Sequence, residues 1–482
     1  MRVLAAWLLS VLAAAPLRSA VVPVEVTIAS EASTGTVPPG FAGLSYEVSA
    51  VLPTPDGRYY FRPDNAGLIG LFHSLGVENL RIGGNTSDRN VRELPKKEDL
   101  DQLFGFARAA GVKVIYCLRL HDGDPAADAA TAKYLMDQYG ALVDCFSIGQ
   151  EPSAYPVGPE TRPKENRMGA SVEKFPYSTY RDEWRRFAQV IIAAVPNVRF
   201  GGPSVHKNAE WTNQFMADFG TGWHVALVTA HLYPGGAAAT VPTDEIARDW
   251  MLSSHFTEVC ERLYRGMAPH LGGVPYRLEE TNSYYNGGRH GASDTFTAAL
   301  WGLDYLYWWA EHGAAGINFH TGDGVSVGNQ LHVPAYGVFT TRPDGYEIRP
   351  LAYALKAFSL AGHGPLLPAV VQAPPEANLS AYAVRSNDRL TVTVINRTHD
   401  KDARDLAVAL KPGSEWTAAE AVFLRDADGV AAVSGVTLGE VPIDVHGGWA
   451  GHWQNLAPNS DAGGFSISLP AASAVVIRLR KR

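Results

Sequence analysis

The run Val143-Asp-Cys-Phe-Ser-Ile-Gly-Gln-Glu151 is short and apolar, and it ends on a carboxylate. This composition, with its β-branched and aromatic residues, is typical of a strand that is buried on both faces. Seven other segments of the 482-residue chain have the same character. The eight segments are Phe41–Ser49, Val77–Asn85, Val112–Leu120, Val143–Glu151, Asn197–Val205, His224–Tyr233, Pro275–Ser283 and Gly316–Gly322.

Segments with helical periodicity separate these runs. In Tyr180–Val195, for example, the apolar positions Trp184, Phe187, Val190 and Ile191 are expected to form one stripe. Eight alternating strand and helix units over residues 41–362 predict an α/β fold, the (β/α)8 barrel. A doubly wound open sheet is the alternative, and it is disfavoured because no GxGxxG turn follows the first strand. The other clear helical segments are Lys97–Ala110, Ala126–Tyr139 and Ser293–His312.

The sequence changes character after the breaker Gly362-His-Gly-Pro365. Residues 366–482 contain short alternating segments with turn signals between them, which is the pattern of a β-sandwich. Residues 21–40 contain one further strand-like run, and we predict that it joins this sandwich. The predicted organisation is therefore a barrel at 41–362 with an appended β-sandwich domain at 366–482.

Residues 1–20 are predicted to be a signal peptide. Arg2 precedes the apolar run Val3–Pro16, which has the length of a secretory signal and is too short to cross a bilayer. A buried N-terminal helix is the alternative. No later segment has the roughly 18 uninterrupted apolar residues that a membrane span needs. We therefore expect a secreted or periplasmic protein.

Composition excludes several classes of function. The net charge is −8 and no Lys/Arg-rich run is interleaved with aromatics, so a nucleic-acid partner is not expected. The chain has three cysteines, too few for a disulfide framework. Buried thiols are expected at Cys117 and Cys145, with a bridge between the two as the alternative. No CxxC or HExxH spacing occurs, so we predict no metal and no cofactor, and the simplest expectation is a monomer.

Carboxylates cluster where barrel enzymes place their chemistry. In a (β/α)8 barrel the active residues lie at the C-terminal ends of the strands. Two carboxylic acids that face each other there can cleave a glycosidic bond, because one protonates the leaving oxygen and the other attacks the anomeric carbon. The strand ends of this chain carry Glu47, Asp88, Gln150-Glu151, His231 with Tyr233, and Glu279-Glu280.

Motifs at four barrel positions resemble those of one glycosidase family. The phrase Ile148-Gly-Gln-Glu-Pro152 resembles the acid/base signature of retaining glycosidases with a barrel fold. The segment Glu280-Thr-Asn-Ser-Tyr-Tyr-Asn-Gly-Gly288 is similar to the nucleophile region of heparanase and the microbial β-glucuronidases, glycoside hydrolase family 79. Supporting similarities are Phe41-Ala-Gly-Leu-Ser-Tyr-Glu47 and Leu80-Arg-Ile-Gly-Gly-Asn-Thr-Ser-Asp88.

The resemblance implies that Glu151 is the acid/base and that Glu280 is the nucleophile. Glu151 must then keep its proton near the working pH, so we expect its pKa to be raised by burial or by the charge of Glu280. Glu280 must stay ionised, and the resemblance makes Tyr233 the hydroxyl that donates to it. Strand alternation predicts that the neighbouring Glu279 points toward the surrounding helices and pairs with a base there.

The resemblance also implies substrate-binding roles for residues around the two glutamates. Glu47 and Asp88 are expected against sugar hydroxyls at the non-reducing end. Their structural alternatives are an ion pair with Arg81 for Glu47 and a turn cap for Asp88. The positions that match those recognising the sugar's carboxylate are Tyr285, Tyr336 and the backbone at Gly287.

Two departures from the family pattern bear on specificity. The family usually has an Asn before the acid/base, where it binds the sugar's 2-hydroxyl, and this chain has Gln150. The longer amide keeps its donor and acceptor, but its reach differs by one methylene, which predicts an altered contact at the 2-position. The loop from Thr321 to about Pro350 is longer than that of heparanase. Such a loop can close one end of a cleft, which favours removal of a terminal residue over internal cleavage.

We therefore predict a retaining, metal-independent glycosidase that cleaves β-linked glucuronic acid from an oligosaccharide, a polysaccharide or a glycoconjugate. One alternative is a related retaining glycosidase for a neutral sugar. Another is a secreted carbohydrate-binding protein without activity, which the presence of both glutamates disfavours. A purely structural surface protein would have no use for carboxylates and aromatics at the strand ends.

Overall fold

A closed parallel barrel lies at the centre of the molecule, which confirms the predicted fold class. The computed structural model describes residues 21–30, 33–89, 93–155, 175–327, 330–386, 388–459 and 464–481, so the predicted signal peptide lies outside the described residues. In chain order, the first ten strands are β1 (Val22–Ile28), β2 (Gly35–Val37), β3 (Ala42–Glu47), β4 (Asn79–Gly83), β5 (Lys113–Leu118), β6 (Val143–Ile148), β7 (Phe200–His206), β8 (Val225–Leu232), β9 (Tyr276–Thr281) and β10 (Gly316–His320).

Strands β3 to β10 form the barrel, and each is parallel to the next. The barrel closes where β10 pairs with both β9 and β3. These are the eight runs that the sequence predicts, most of them shortened by a few residues, while β7 ends one residue later than predicted, at His206. The closure brings all eight C-terminal strand ends to one rim, where the carboxylates of the sequence motifs meet.

Helices connect the strands and cover the outside of the barrel. The predicted helix Lys97–Ala110 is confirmed with both of its ends. Side-chain caps start several helices: the Asn208 side chain accepts from the Trp211 amide at 3.1 Å, and Thr243 accepts from the Ile246 amide at 3.2 Å. The helices are α1 (Ala66–Leu75), α2 (Lys97–Ala110), α3 (Pro125–Tyr139), α4 (Tyr177–Ala194), α5 (Ala209–Phe219), α6 (Asp244–Leu252), α7 (Ser254–Met267), α8 (Phe296–Glu311) and α9 (Pro350–Ser359).

Two hairpins lie in the long loop between β10 and α9, and the strands after α9 build a sandwich. The hairpins pair β11 with β12 and β13 with β14. The remaining strands are β11 (Val325–Val327), β12 (Gln330–His332), β13 (Phe339–Arg342), β14 (Gly345–Ile348), β15 (Gly364–Leu367), β16 (Ala369–Gln372), β17 (Leu379–Ser386), β18 (Arg389–Asn396), β19 (Leu406–Lys411), β20 (Trp416–Arg425), β21 (Thr437–Leu438), β22 (Gln454–Leu456), β23 (Phe465–Leu469) and β24 (Ser473–Lys481).

The sandwich consists of two sheets with a shared apolar core. One sheet has the order β16-β1-β19-β23, so the N-terminal strand lies between two strands from the far end of the chain. The other has the order β2-β15-β17-β18-β24-β20-β21, with β22 beside β20. Val26, Val392 and Ile477 are fully buried between the sheets. Because β1 pairs with both β16 and β19, the chain crosses the sandwich before it enters the barrel.

Helix α8 joins the barrel to the sandwich. The rings of Tyr307 on α8 and Tyr382 on β17 stack with their centroids 4.7 Å apart. One turn away, the Asp304 carboxylate accepts a hydrogen bond from the Tyr382 hydroxyl at 2.8 Å and forms an ion pair with Arg397 at 2.7 Å. Apolar stacking and a paired, largely buried charge therefore meet at one contact between the two parts.

Two further expectations can be compared with the described part of the chain. All three cysteines are buried free thiols, so Cys117 and Cys145 are not bridged. Within the ranges given above, the helices are all too short or too polar to cross a membrane.

Asp304→Ala is expected to lower the free energy of unfolding by about 3 kcal/mol, because it leaves the buried Arg397 charge without its partner. Urea denaturation followed by tryptophan fluorescence measures this. Asp137→Ala, which removes an exposed pair with Lys133, is the control and should cost less than about 0.5 kcal/mol. Equal losses for the two variants would contradict the role assigned to Asp304.

Candidate active site

Strand β9 carries one extra residue at its C-terminal end. After Leu278 its register shifts by one residue against both neighbours, β8 and β10. Such a bulge places two successive side chains on the same face of the strand. Glu279 and Glu280 both contact His231, which projects into the barrel from β8. The prediction that Glu279 points toward the helices is therefore wrong, because strict alternation ends at the bulge.

Glu280 is held by three donors inside the barrel. Arg81 on β4 donates to its Oε2 at 2.7 Å, and the Gln150 amide donates to the same oxygen at 3.0 Å. The Tyr233 hydroxyl donates to Oε1 at 2.9 Å. Burial by itself would raise the pKa of Glu280, but the surrounding imidazoles, Arg81 and the Gln150 hydrogen bond lower it well below its usual range. Glu280 is therefore an ionised carboxylate with fixed geometry.

Glu151 sits on a tight turn at the end of β6. Gly149 has φ of 93° and Glu151 has φ of 48°, so both occupy the left-handed region. A side chain at position 149 would come within 2.8 Å of the Tyr155 hydroxyl, and glycine is needed there for space as well as for conformation. The Glu151 amide donates to the carbonyl of Ser204 on β7 at 3.0 Å, which holds the strained turn in place.

The Glu151 carboxylate is partly exposed and lies between two bases. Its Oε1 is 3.0 Å from Nδ1 of His231, and its Oε2 accepts from Arg89 at 3.0 Å. Burial raises its pKa, but the bond to His231 and the two positive charges outweigh burial and bring the pKa to about 2. The expected rise in the pKa of Glu151 is therefore contradicted, because the sequence did not place these bases beside the carboxylate.

His231 carries the proton in this part of the site. Its imidazole is fully buried between Glu151 on one side and Glu279 on the other, where Nε2 lies 3.4 Å from Oε1 of Glu279. Burial lowers the pKa of an imidazole, but the three carboxylates around His231 raise it to about 9. At neutral pH the proton shared by His231 and Glu151 therefore resides mainly on the imidazole.

A cavity of about 320 Å³ opens between the two glutamates and the loops of the rim. It contains seven of the nine site residues that the sequence predicts, and Asp88 and Gln150 are not among its lining residues. The lining residues are Glu47, Asn85, Arg89, Glu151, His206, Tyr233, Glu280, Tyr285, Asn286, Gly287, His320, Val325, Ser326 and Tyr336.

Asp88 and Gln150 differ from their expected placement at the substrate. The Asp88 carboxylate is buried and accepts from the amides of Leu120, His121 and Gln150 at 2.7–2.9 Å, and from the Tyr155 hydroxyl. It therefore fixes neighbouring strand ends. The Gln150 side chain accepts from Arg81 and donates to Glu280, so its amide positions the nucleophile candidate.

Glu47 lines the cavity but is almost completely buried. It accepts from the amide and the hydroxyl of Thr86 at 2.8 and 2.7 Å, and from the amide of Ser326 at 2.9 Å. Its structural alternative, an ion pair with Arg81, is not what the structure shows, because Arg81 pairs with Glu280. Glu47 instead fastens the hairpin loop after β10 to the first two barrel strands.

Sequence reasoning missed several lining residues. Arg89, which touches Glu151, follows Asp88 by one position and could have been noted as the next residue of that motif. His206 lies at the end of β7, so the rule that barrel enzymes place active residues at strand ends could have identified it, although it belongs to no motif. Asn85 and Asn286 stand inside two of the quoted motifs, but the resemblance assigned no role to either residue. Their inclusion depends on loop paths that only the folded chain defines.

Comparisons with known proteins agree with this architecture. No family model matches the chain. It is 25% identical over 380 residues to a β-glucuronidase of Aspergillus niger, which covers 70% of this chain and 67% of that protein. A β-glucuronidase of Neurospora crassa is 48% identical over 48 residues, covering 10% of this chain and 9% of the relative.

Solved structures share the fold over nearly the whole chain. A 4-O-α-L-rhamnosyl-β-D-glucuronidase from Fusarium oxysporum 12S has a TM-score of 0.71 at 17% identity, and covers 94% of this chain and 99% of that structure. An arabinofuranosidase of glycoside hydrolase family 51 from Xanthomonas axonopodis pv. citri has a TM-score of 0.65 at 15% identity, with coverages of 95% and 100%. With the sequence relatives and the two facing carboxylates, these findings support one class: the protein is a glycoside hydrolase.

Tyr233→Phe removes the phenolic donor to Glu280 and should lower kcat for a glycoside substrate by roughly 10- to 100-fold, since a hydrogen bond to a charged group contributes about 1.5–3 kcal/mol. Initial-rate kinetics, with a glycoside that the wild-type enzyme hydrolyses, measure this change in kcat. Tyr177→Phe also deletes a hydroxyl bonded to a carboxylate, that of Asp218, and neither residue lines the cavity. Its kcat should stay at the wild-type value, and an equal loss in both variants would contradict the role of Tyr233.

Proposed function

We propose that the protein is a retaining β-glucuronidase, related to glycoside hydrolase family 79, that removes a terminal glucuronic acid. The observation that carries the proposal is the pairing of Glu151 and Glu280 across one cavity, with one carboxylate oxygen of each within 4.8 Å of the other. Retaining glycosidases hold their two carboxyl groups about 5–5.5 Å apart, whereas inverting enzymes need about 6.5–9.5 Å to admit a water molecule. The short separation supports double displacement.

In this mechanism Glu280 is the nucleophile. Its ionised state is favoured by Arg81 and Tyr233, and its position inside the barrel is fixed by their hydrogen bonds. Attack on the anomeric carbon breaks the glycosidic bond and leaves a glycosyl-enzyme. Water then releases the sugar and restores the free Glu280 carboxylate.

Glu151 is the acid/base of the same cycle. It is the carboxylate nearer the solvent, and its oxygens contact His231 and Arg89. A proton shared with His231 reaches the leaving oxygen through Glu151 in the first step. In the second step Glu151 accepts a proton from the attacking water.

Recognition of the glucuronate carboxylate is assigned to the loops after β9 and β10. Tyr285, Tyr336 and Gly287 all line the cavity. The Gly287 carbonyl accepts from the amide of Ala335 at 2.6 Å, which holds this loop against the loop after β10. Phenolic hydroxyls and a glycine backbone can donate to an anionic oxygen without the strong pairing of an arginine. The names of the two sequence relatives, both β-glucuronidases, support the same substrate.

Removal of a terminal residue is supported by the closed side of the cavity. Glu47 binds the Ser326 amide, and the Asn85 side chain donates to the Ser326 carbonyl at 3.2 Å. The hairpin loop is thereby fastened across the barrel rim. A cavity of about 320 Å³ lies at the small end of the range for ligand sites and suits a terminal sugar better than an open polymer cleft.

An aryl β-glucuronide is expected to be hydrolysed, while the matching β-glucoside and β-galactoside are not, because they lack the carboxylate that the Tyr285 loop binds. Glu280→Gln should lower kcat by at least about 1,000-fold, since the amide cannot attack the anomeric carbon. Release of the aryl alcohol, followed by absorbance, measures all of these rates.

Each of the other outcomes would change a different part of the proposal. Turnover of a neutral glycoside alone would replace the substrate assignment and keep the mechanism. Turnover of none of the three would require a test with 4-O-rhamnosylated and polymeric glucuronides. A fully active Glu280→Gln variant would refute the nucleophile.

Glu151→Ala is expected to hydrolyse a dinitrophenyl glycoside, whose leaving group needs no proton, and to be accelerated by azide, which occupies the space of the missing carboxylate. The product should be the β-glycosyl azide, because azide attacks a covalent intermediate from the face that the leaving group left. Proton NMR identifies the anomer. An α product would show single displacement and contradict the retaining mechanism.

A further inference from the structure

Glu279 is a further buried carboxylate in the site, and the proposed reaction does not use it. Its side chain is fully buried, next to the nucleophile candidate Glu280. Its Oε1 lies 3.4 Å from Nε2 of His231. Burying a charge costs free energy unless the charge is paired and hydrogen-bonded. The presence of this buried carboxylate therefore indicates a function.

We propose that Glu279 is a positioning residue for catalysis, which acts through His231 to hold an exchangeable proton beside Glu151. The chain Glu279–His231–Glu151 then forms a buried proton reservoir behind the acid/base. This inference rests on the proposed function, since it takes Glu151 as the acid/base.

The two ring nitrogens of His231 face two carboxylates. Nδ1 is 3.0 Å from Oε1 of Glu151 and Nε2 is 3.4 Å from Oε1 of Glu279. An ionised carboxylate only accepts hydrogen bonds, so both contacts are satisfied only when the imidazole carries both protons. With a neutral amide in place of Glu279, the contact at Nε2 no longer requires a charged ring.

The charged and titratable groups near His231 come from four strands of the barrel. The negative charges are those of three carboxylates, and the positive charges are those of one guanidinium and of the His231 imidazolium itself. Burial lowers the pKa of His206 to about 4, so that ring adds no charge at neutral pH. The groups are Glu151 from the end of β6, Glu279 and Glu280 from β9, Arg81 from β4 and His206 from β7.

The proton is conserved over one catalytic cycle. In the first step it passes from Nδ1 of His231 to Glu151 and from Glu151 to the leaving oxygen, while Glu280 forms its bond to the anomeric carbon. His231 is then neutral and keeps its Nε2 proton toward Glu279, so the ring does not turn. In the second step the water oxygen bonds to the anomeric carbon while the bond to Glu280 breaks, and the proton that water loses passes to Glu151 and then to Nδ1 of His231.

The direction of the pH effect follows from the sign of the charge. His231 has a raised pKa of about 9, so the pair holds its proton below that pH and loses it above. Glu279→Gln removes one of the negative charges that stabilise the imidazolium. The pair should then lose its proton at a lower pH, and the alkaline limb of the activity profile should move in that direction.

The test is the pH profile of kcat/KM for wild type, Glu279→Gln and Glu279→Asp, with whichever aryl glycoside the wild type hydrolyses. One substrate has a phenyl leaving group, which needs protonation, and one has a dinitrophenyl group, which does not. For the phenyl glycoside, Glu279→Gln should move the alkaline limb down by at least one pH unit. Activity at pH 8 then falls about twofold for a shift of one unit and roughly tenfold for a shift of two units, and activity at pH 5 changes little.

Two features separate this role from a structural one. The dinitrophenyl glycoside should show no such shift. With the phenyl glycoside, Glu279→Asp should return the alkaline limb most of the way to its wild-type pH. Asp304→Asn neutralises a largely buried carboxylate outside the site and should leave the limb in place. An unmoved limb, or an equal loss at every pH for both substrates, overturns the proposal.

A second measurement covers the case in which Glu279→Gln fails to fold. In wild-type protein with ¹⁵N-labelled histidine, the ring nitrogens of His231, assigned through His231→Asn, should report a protonated imidazole up to about pH 8. A neutral ring at pH 7 would overturn the proposal without any variant at Glu279. Loss of azide rescue in Glu151→Ala would instead show that the assignment of the acid/base has failed.

Discussion

The buried contact between Arg81 and Glu280 is the interaction on which the rest of the site depends. The guanidinium is fully buried, donates to Glu280 at 2.7 Å, and also contacts the Ser45 hydroxyl and Gln150. Without it, the barrel would enclose two adjacent carboxylates of β9 with only imidazoles to balance them. Buried ion pairs often contribute little to stability, because desolvation offsets attraction, but removing one partner is strongly destabilising. The pair therefore specifies a charge state that the proposed nucleophile requires.

The scaffold places these groups by departing from regular structure at the rim. The bulge in β9 turns two successive glutamates inward, and an irregularity in β7 presents the Ser204 carbonyl to the amide of Glu151. Glu151 itself occupies a left-handed backbone conformation that is unfavourable for residues other than glycine. Regular barrel strands supply rigidity, and the irregular ends supply the direction of each functional group.

The sequence was sufficient for features that repeat or that stand in motifs. Periodicity predicted the eight strands and the ends of α2, and the family resemblance brought Glu151, Glu280 and Tyr233 together. Prediction from the sequence failed where the geometry depends on one inserted residue, since nothing in the letters Glu279-Glu280 marks a bulge. It also failed for Asp88, because both a sugar hydroxyl and a row of backbone amides suit a buried carboxylate, and only the folded loops decide between them.

The low pKa of Glu151 shows why the charge of a site must be taken as a whole. A carboxyl with a pKa of about 2 would be a poor proton donor in isolation, yet its neighbour His231 holds a proton up to about pH 9. The same shifts link ionisation to folding. Glu151, with a lowered pKa, contributes stability above its ordinary pKa of 4.5, and this is lost as pH falls toward 2. His231, with a raised pKa, contributes fully below 6.5, and this is lost as pH rises through 9. Between pH 4.5 and 6.5 both contributions are complete, and in that interval the folded site holds one proton between a buried base and a partly exposed acid.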